Sequence, residues 1–189
     1  MRKFQSAALA AVLTAAAALG LAAAGATASA TTGAAGHTTR PAKASPGVGV
    51  AANEREVRAF LRDVIDEHHG DHAGRYLTRD MQWHGGTVGT VKGRKDVAGL
   101  FADVVASLPN AHASIKDIFG QGDQVVVRVV VSGTQQGAIL GIPASGRHVQ
   151  WDGVDVYRLS HGKISNIWAG DDWTAILNDT GTYKAPWIP

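Results

Sequence analysis

The apolar positions along this chain change period once, and that change predicts its architecture. Val57, Phe60, Leu61, Val64 and Ile65 recur at helical spacing, which gives one apolar stripe on a first helix. Asn53 stands where an N-cap belongs, Glu54 and Glu56 suit the positive end of the helix dipole, and Gly70 after His69 offers a left-handed stop. A short helical turn is expected over 73–77, then an extended piece through Met81-Gln82-Trp83-His84 that Gly85-Gly86 breaks. Val97, Leu100, Phe101, Val104 and Val105 predict a second helix from Asp96 to Leu108, stopped by Pro109. From Ala111 onward the period falls to two. Strands are expected over 113–119, 124–136, 147–159 and 163–169, joined by Gly120-Gln121-Gly122-Asp123 and Ser160-His161-Gly162. A short helix from Asp172 to Leu177 closes the pattern. Helices followed by an antiparallel run of strands predict an α+β domain. The turns between the later strands are too short for crossover helices, which argues against parallel βαβ winding.

The N-terminal segment follows a different logic. Arg2 and Lys3 precede an Ala/Leu/Val-rich run from Ala7 to Ala24, and Ala28-Ser29-Ala30 supplies small residues at cleavage positions. That order is a secretory signal over residues 1–30 rather than a retained anchor, because Ala and Gly are weakly hydrophobic and small residues end the run. Residues 31–52, rich in Thr, Gly, Ala, Pro and Ser, read as a disordered spacer that buries too little surface to offset its ordering entropy. The domain is expected over 53–182, with 183–189 as a tail. An exported protein with no stable membrane insertion after cleavage is the expectation.

Charge and cysteine content narrow the chemistry. The full chain carries 18 Lys+Arg against 16 Asp+Glu, and the leader removes Arg2 and Lys3, so the remainder is formally neutral. Lys92, Arg94 and Lys95 are the densest basic group, at a helix start, so no nucleic-acid partner is expected. The absence of Cys excludes disulfides, thiol catalysis and thiolate metal sites. His68 and His72 are four apart, but Gly70-Asp71 intervenes where the helix should end and no third ligand has zinc-like spacing, so no metal is expected. No Gly-x-Ser-x-Gly elbow or Gly-Lys-Ser/Thr phosphate loop is present.

The strand over 147–159 holds the most informative alternation. One face carries Val149, Trp151, Gly153, Asp155, Tyr157 and Leu159, and this set should point inward. Asp155 is then a carboxylate among aromatic rings. Desolvation raises its pKa and suits it to acid or base work, unless backbone donors or Arg128 hold it in a structural role. Trp83, Trp151, Tyr157 and Trp168 are candidate walls for a ring-bearing ligand or else core filling, and His84 is a pocket or a surface residue. Arg128 counts with these substrate-binding candidates. Asp171 and Asp172 form the second acid/base candidate; the alternative has Asp172 capping the last helix and Asp171 in solvent, and for Asp171 solvent is the expectation.

Gly133-Thr134-Gln135-Gln136-Gly137, Gly141-Ile142-Pro143-Ala144-Ser145-Gly146-Arg147, Val154-Asp155-Val156-Tyr157-Arg158-Leu159 and Gly162-Lys163-Ile164, with Trp168 and Asp172, resemble the SnoaL-like polyketide cyclase (ester cyclase) family. Asp80-Met81-Gln82-Trp83-His84 and the helix after Gly93 fit the same pattern, so the resemblance spans the domain. It implies a cone of nuclear-transport-factor-2-like fold, often paired sheet to sheet as a homodimer. It further implies a small hydrophobic, polyketide-derived ligand and ring closure by aldol chemistry with an acid/base pair and no cofactor. The family's His in the strand before Gly-Lys-Ile corresponds here to Asp155, and its Asp after the following Trp corresponds to Ala169. Asp172 matches a family position. A cofactor-free cyclase or isomerase and a non-catalytic binding protein on the same cone both remain open, as does a module whose pocket its own side chains fill.

Overall fold

The computed structural model describes residues 49–188. The signal peptide expected over 1–30 and most of the expected spacer lie outside the described residues. The first helix, α1, spans Val50–Leu61 and continues into a π-helical turn, Arg62–Asp66. It therefore starts three residues before Asn53, which is not its cap. Asn53 is buried, and its Nδ2 donates to the Gly122 carbonyl at 3.2 Å, tying α1 to a strand turn instead. Val57, Phe60, Leu61, Val64 and Ile65 are buried as the stripe predicts. The left-handed residue after the helix is His68 (φ 60) rather than Gly70. Gly70 begins a 3₁₀ helix, Gly70–Arg75, where a Cβ would stand 2.7 Å from the Cα of Ala102. Close backbone packing, not a left-handed stop, is what requires glycine there.

Strand β1 (Leu77–His84) and the short β2 (Thr90–Lys92) follow, then helix α2 (Arg94–Ser107). Strands β3 (His112–Gln121), β4 (Gln124–Thr134), β5 (His148–Ser160) and β6 (Lys163–Trp168) come next, and α3 (Trp173–Asp179) ends the regular structure. The six strands form one sheet in the order β2-β1-β6-β5-β4-β3. All neighbours are antiparallel except β1 and β6, which pair in parallel, with Trp83 opposite Ile167 and His84 opposite Trp168. The sheet is therefore mixed. The parallel pair is built from the first and last strands, with helices and four strands between them, so no short crossover is needed.

The inner face of the sheet packs on α1, α2 and α3. Val125, Val127 and Val129 of β4 and Val149, Trp151, Tyr157 and Leu159 of β5 are buried there, while their alternate neighbours are not. Register shifts in β1, in β3 at Ile115/Asp117 and in β6 at Ser165, opposite Arg158/Leu159 of β5, interrupt the ladders, and such irregularities bend and twist a sheet. The segment after β4 is held by one buried side chain. Gln135 donates Nε2 to the carbonyls of Ile142 and Pro143 and accepts at Oε1 from the Ser145 amide and hydroxyl. Among the described residues no helix is long and apolar enough to cross a membrane.

Candidate functional site

A cavity of about 90 Å³ opens between the inner face of the sheet and the helices. Leu61 and Ile65 line it from the first helical segment, Leu100, Phe101 and Val104 from α2, and Ile139 and Leu140 from the Gln135-pinned segment. Trp83, Trp151, Tyr157 and Ile167 supply the sheet side. Two carboxyl groups are set in this apolar wall, those of Asp155 and Asp171. The volume is below the roughly 150 Å³ of an apolar cavity that accommodates benzene, so a larger ligand must project through the mouth or push the 139–140 segment aside.

Strand parity places Asp155. It lies opposite Val127 on the inner face of β5 and is only 9% exposed. The Tyr157 hydroxyl donates to its Oδ2 at 3.2 Å, and the Gly170 amide donates to its Oδ1 at 3.2 Å. Burial and then the repulsion of Asp171 raise its pKa to about 7, against which the two hydrogen bonds act. The same burial and the Asp155 charge push the Tyr157 hydroxyl well above its ordinary value.

Asp171 reaches the cavity by a different route. After β6 the chain runs antiparallel to β5, with the Val154 amide donating to the Gly170 carbonyl and the Asp172 amide to the Asp152 carbonyl. An isolated bridge sets Asp171 directly opposite Gly153, and opposed residues share a face. Asp171 Oδ1 accepts from Trp151 Nε1 at 2.8 Å. Burial raises the Asp171 pKa, and the indole bond opposes that rise.

Gly153 makes the juxtaposition possible. A Cβ at that position would lie 3.1 Å from Asp171 Oδ1, 3.3 Å from Val129 Cγ1 and 3.8 Å from Asp155 Oδ1. The missing side chain is the space into which both carboxyls turn. One face of β5 thus provides a glycine gap flanked by an aspartate and a tryptophan two residues to either side.

Trp83, Trp151, Tyr157 and Asp155 from the sequence-derived set meet at the cavity; the other four do not. Asp172 is exposed and caps α3, its Oδ1 accepting from the amides of Thr174 and Ala175. Arg128 lies on the outer face of β4 and pairs with Asp117 at 2.7 Å, so it neither neutralises Asp155 nor binds in the cavity. Trp168 is on the outer face too, 36% exposed, stacked on His84 with ring centroids 5.3 Å apart. His84 is half-buried against Thr90 and Asn166 on that outer face. Each of these four sits on the strand parity opposite to the cavity or, for Asp172, at a helix start. Asp171, weighed as an acid/base group but expected in solvent, instead lines the cavity. Its signal was the alternation Ile167, Ala169, Asp171, which continues the inward parity of β6 once Ile167 is known to face in. Asp63, His69 and His72 also converge, away from the cavity, as three potential ligands within 4.8 Å of one another.

Comparison with known proteins agrees with this geometry. The family model for SnoaL-like polyketide cyclase matches residues 55–180. Among solved structures, TsrD from Streptomyces laurentii superposes with a TM-score of 0.64 at 23% identity, over 72% of this chain and 100% of its own. A protein with a ketosteroid isomerase-like fold from Catenulispora acidiphila gives 0.58 at 20%, over 71% and 97%. A SnoaL-like polyketide cyclase from Agrobacterium tumefaciens gives 0.56 at 17%, over 67% and 95%. A comparison with curated proteins gave no match. The cone-like α+β fold expected from the resemblance is the fold present, and the chain belongs to the SnoaL-like polyketide cyclase family.

Proposed function

We propose that this protein is exported, binds a small apolar, carbonyl-bearing molecule in the cavity and performs cofactor-free proton transfer on it. Aldol ring closure and isomerisation are the reactions this chemistry serves. The observation that carries the reading is the pair of carboxyls, Asp155 and Asp171, turned into an apolar cavity across Gly153. Two carboxyls so placed do not both ionise readily, so the pair holds one proton near neutrality. Asp155, the more deeply buried of the two, keeps its proton to about pH 7 against the charge of Asp171, which is therefore the base of the pair. Asp171 then takes a proton from the carbon next to the substrate carbonyl while Asp155 donates its proton to an oxygen that becomes hydroxyl. In ring closure the proton on Asp171 then passes to Asp155, directly or through water; in isomerisation Asp171 delivers it to a different carbon while the enol hydroxyl returns its proton to Asp155, and either course resets the pair. The family position occupied here by Ala169 loses a carboxyl, and Asp171, two residues on, supplies one from the facing backbone.

Ala169 in the cavity wall also favours a second reading, a binding protein without turnover. One experiment separates the two. Purified protein is incubated in D₂O with small cyclic and open-chain keto-esters, and deuterium next to the carbonyl is read by mass spectrometry. The proposal expects exchange that Asp155→Asn and Asp171→Asn each reduce by about 10²-fold. Retention of ligand without exchange above background overturns the catalytic reading and leaves the binding one.

A further inference from the structure

Away from the cavity, the turn between the π-helical residues and β1 gathers Asp63, His69, His72 and Tyr76. The chain is guided into this turn by constraints already described. His68 takes a left-handed backbone, and Gly70 presses against the backbone of α2. The His69 amide donates to the Asp63 carbonyl at 3.2 Å, and the His72 amide donates to the His69 carbonyl at 2.8 Å. His69 and His72 are thus one 3₁₀ turn apart, and in that geometry residues i and i+3 eclipse. Their rings lie face by face, with centroids 4.5 Å apart and planes 37° from parallel.

Both imidazoles aim Nδ1 at a single oxygen. His69 Nδ1 is 2.9 Å and His72 Nδ1 3.0 Å from Asp63 Oδ1. The other oxygen, Oδ2, accepts from the Tyr76 hydroxyl at 2.7 Å, which fixes the orientation of the carboxylate. Burial acts to raise the Asp63 pKa, but the Tyr76, His69 and His72 bonds outweigh it and hold the carboxyl well below its usual range. A carboxylate with two convergent imidazole nitrogens and an outer hydrogen bond is a ligand set with its supporting shell.

We propose that Asp63, His69 and His72 bind one divalent transition-metal ion of the zinc type. Two imidazoles and one carboxylate suit borderline metals, whereas calcium and magnesium call for oxygen ligands throughout. Metal–ligand bonds near 2.05 Å in a tetrahedron set the ligand atoms about 3.3 Å apart. The two imidazole nitrogens stand 2.9 and 3.0 Å from the Asp63 oxygen and all three ligand atoms lie within 4.8 Å of one another, so small side-chain shifts bring them to that spacing when the ion replaces the shared protons. Further coordination positions remain for water, and Glu67 Oε2 stands 3.9 Å from His69 Nδ1. Asp63, His69 and His72 are not among the residues lining the cavity, so this inference is independent of the proton-transfer reading.

The test is titration of tag-free protein with Zn²⁺ in competition with a chromophoric chelator, with Co²⁺ as a spectroscopic substitute. The expected result is one equivalent bound and a thermal midpoint raised by a few degrees, because only the folded chain assembles the site. His69→Gln and His72→Gln should each weaken binding at least ~10-fold, and Tyr76→Phe about 10-fold through the carboxylate it orients. His161→Gln, in a distant strand turn, should leave binding unchanged. In the unmodified protein, NMR should show Zn²⁺ shifting Nδ1 of two imidazoles only, a readout that does not depend on variants folding. Absence of stoichiometric uptake, or uptake unchanged in the doubly substituted protein, overturns the proposal.

Discussion

Asp155 holds its proton to about pH 7 because its strand position buries it and because Asp171 stands on the same face. The sign of the consequence for stability follows from proton counting. Between the ordinary carboxylate value of 3.8 and about 7, the native state holds a proton that the unfolded chain has lost. Unfolding free energy therefore falls as pH rises through that window, and it is fully present below it. Denaturant midpoints should decline from about pH 4 to about pH 7, and Asp155→Asn should flatten that decline. A second substitution tests the gap between the carboxyls. Gly153→Ala places a Cβ against Asp171 Oδ1 and Val129, so the acid/base pair should separate and deuterium exchange fall about 10²-fold while the fold persists by circular dichroism. Asp155 was legible in the sequence because alternation along β5 is unbroken. Asp171 was not, because Ile164, Ile167, Trp168 and Ala169 put apolar residues on both parities of β6 and hide which one faces in.

At the scale of elements, the segment from Gln135 to Arg147 shows how a loop can be rigid without regular structure. Its amide side chain makes four hydrogen bonds, and Ser107 Oγ adds a fifth by donating to the Ala138 carbonyl. Ile139 and Leu140 are thereby held over the cavity. Gln135→Leu fills a similar space but removes four hydrogen bonds to the partly buried 142–145 segment, so it should cost about 1–3 kcal/mol. Hydrogen exchange should rise over residues 137–146, and ligands too large for the closed cavity should enter faster. The strands after Ala111 were readable within two residues at each end because period two persists through them. Asn53 misled, because a side chain suited to capping was taken up by Gly122 across the domain. The pairing of β1 with β6 left no periodic signal, since parallel registry between distant segments depends on tertiary packing rather than on local pattern.

At the scale of the molecule, the proposed export and the order of folding meet. If the proposed signal is cleaved after Ala30, protein from the culture medium should have the mass of a chain beginning at Thr31. A full-length mass in the membrane fraction would favour a retained anchor. The parallel seam between Leu77–His84 and Lys163–Trp168 bears on how such a chain is made. Synthesis delivers β1 and β2 early, yet β1 has only β2 to pair with until β6 leaves the ribosome. Strands β3, β4 and β5 can pair among themselves in the meantime, but no strand ladder joins the two halves of the sheet. The contact that closes it is among the most distant in sequence, which makes closure late. The sheet of the nascent domain therefore stays open until β6 is made, which would suit the proposed export, since a translocation channel takes unfolded chain. Ribosome-arrested chains ending at Ser160 should be degraded by added protease, and chains extended through Thr182 and clear of the exit tunnel should resist it.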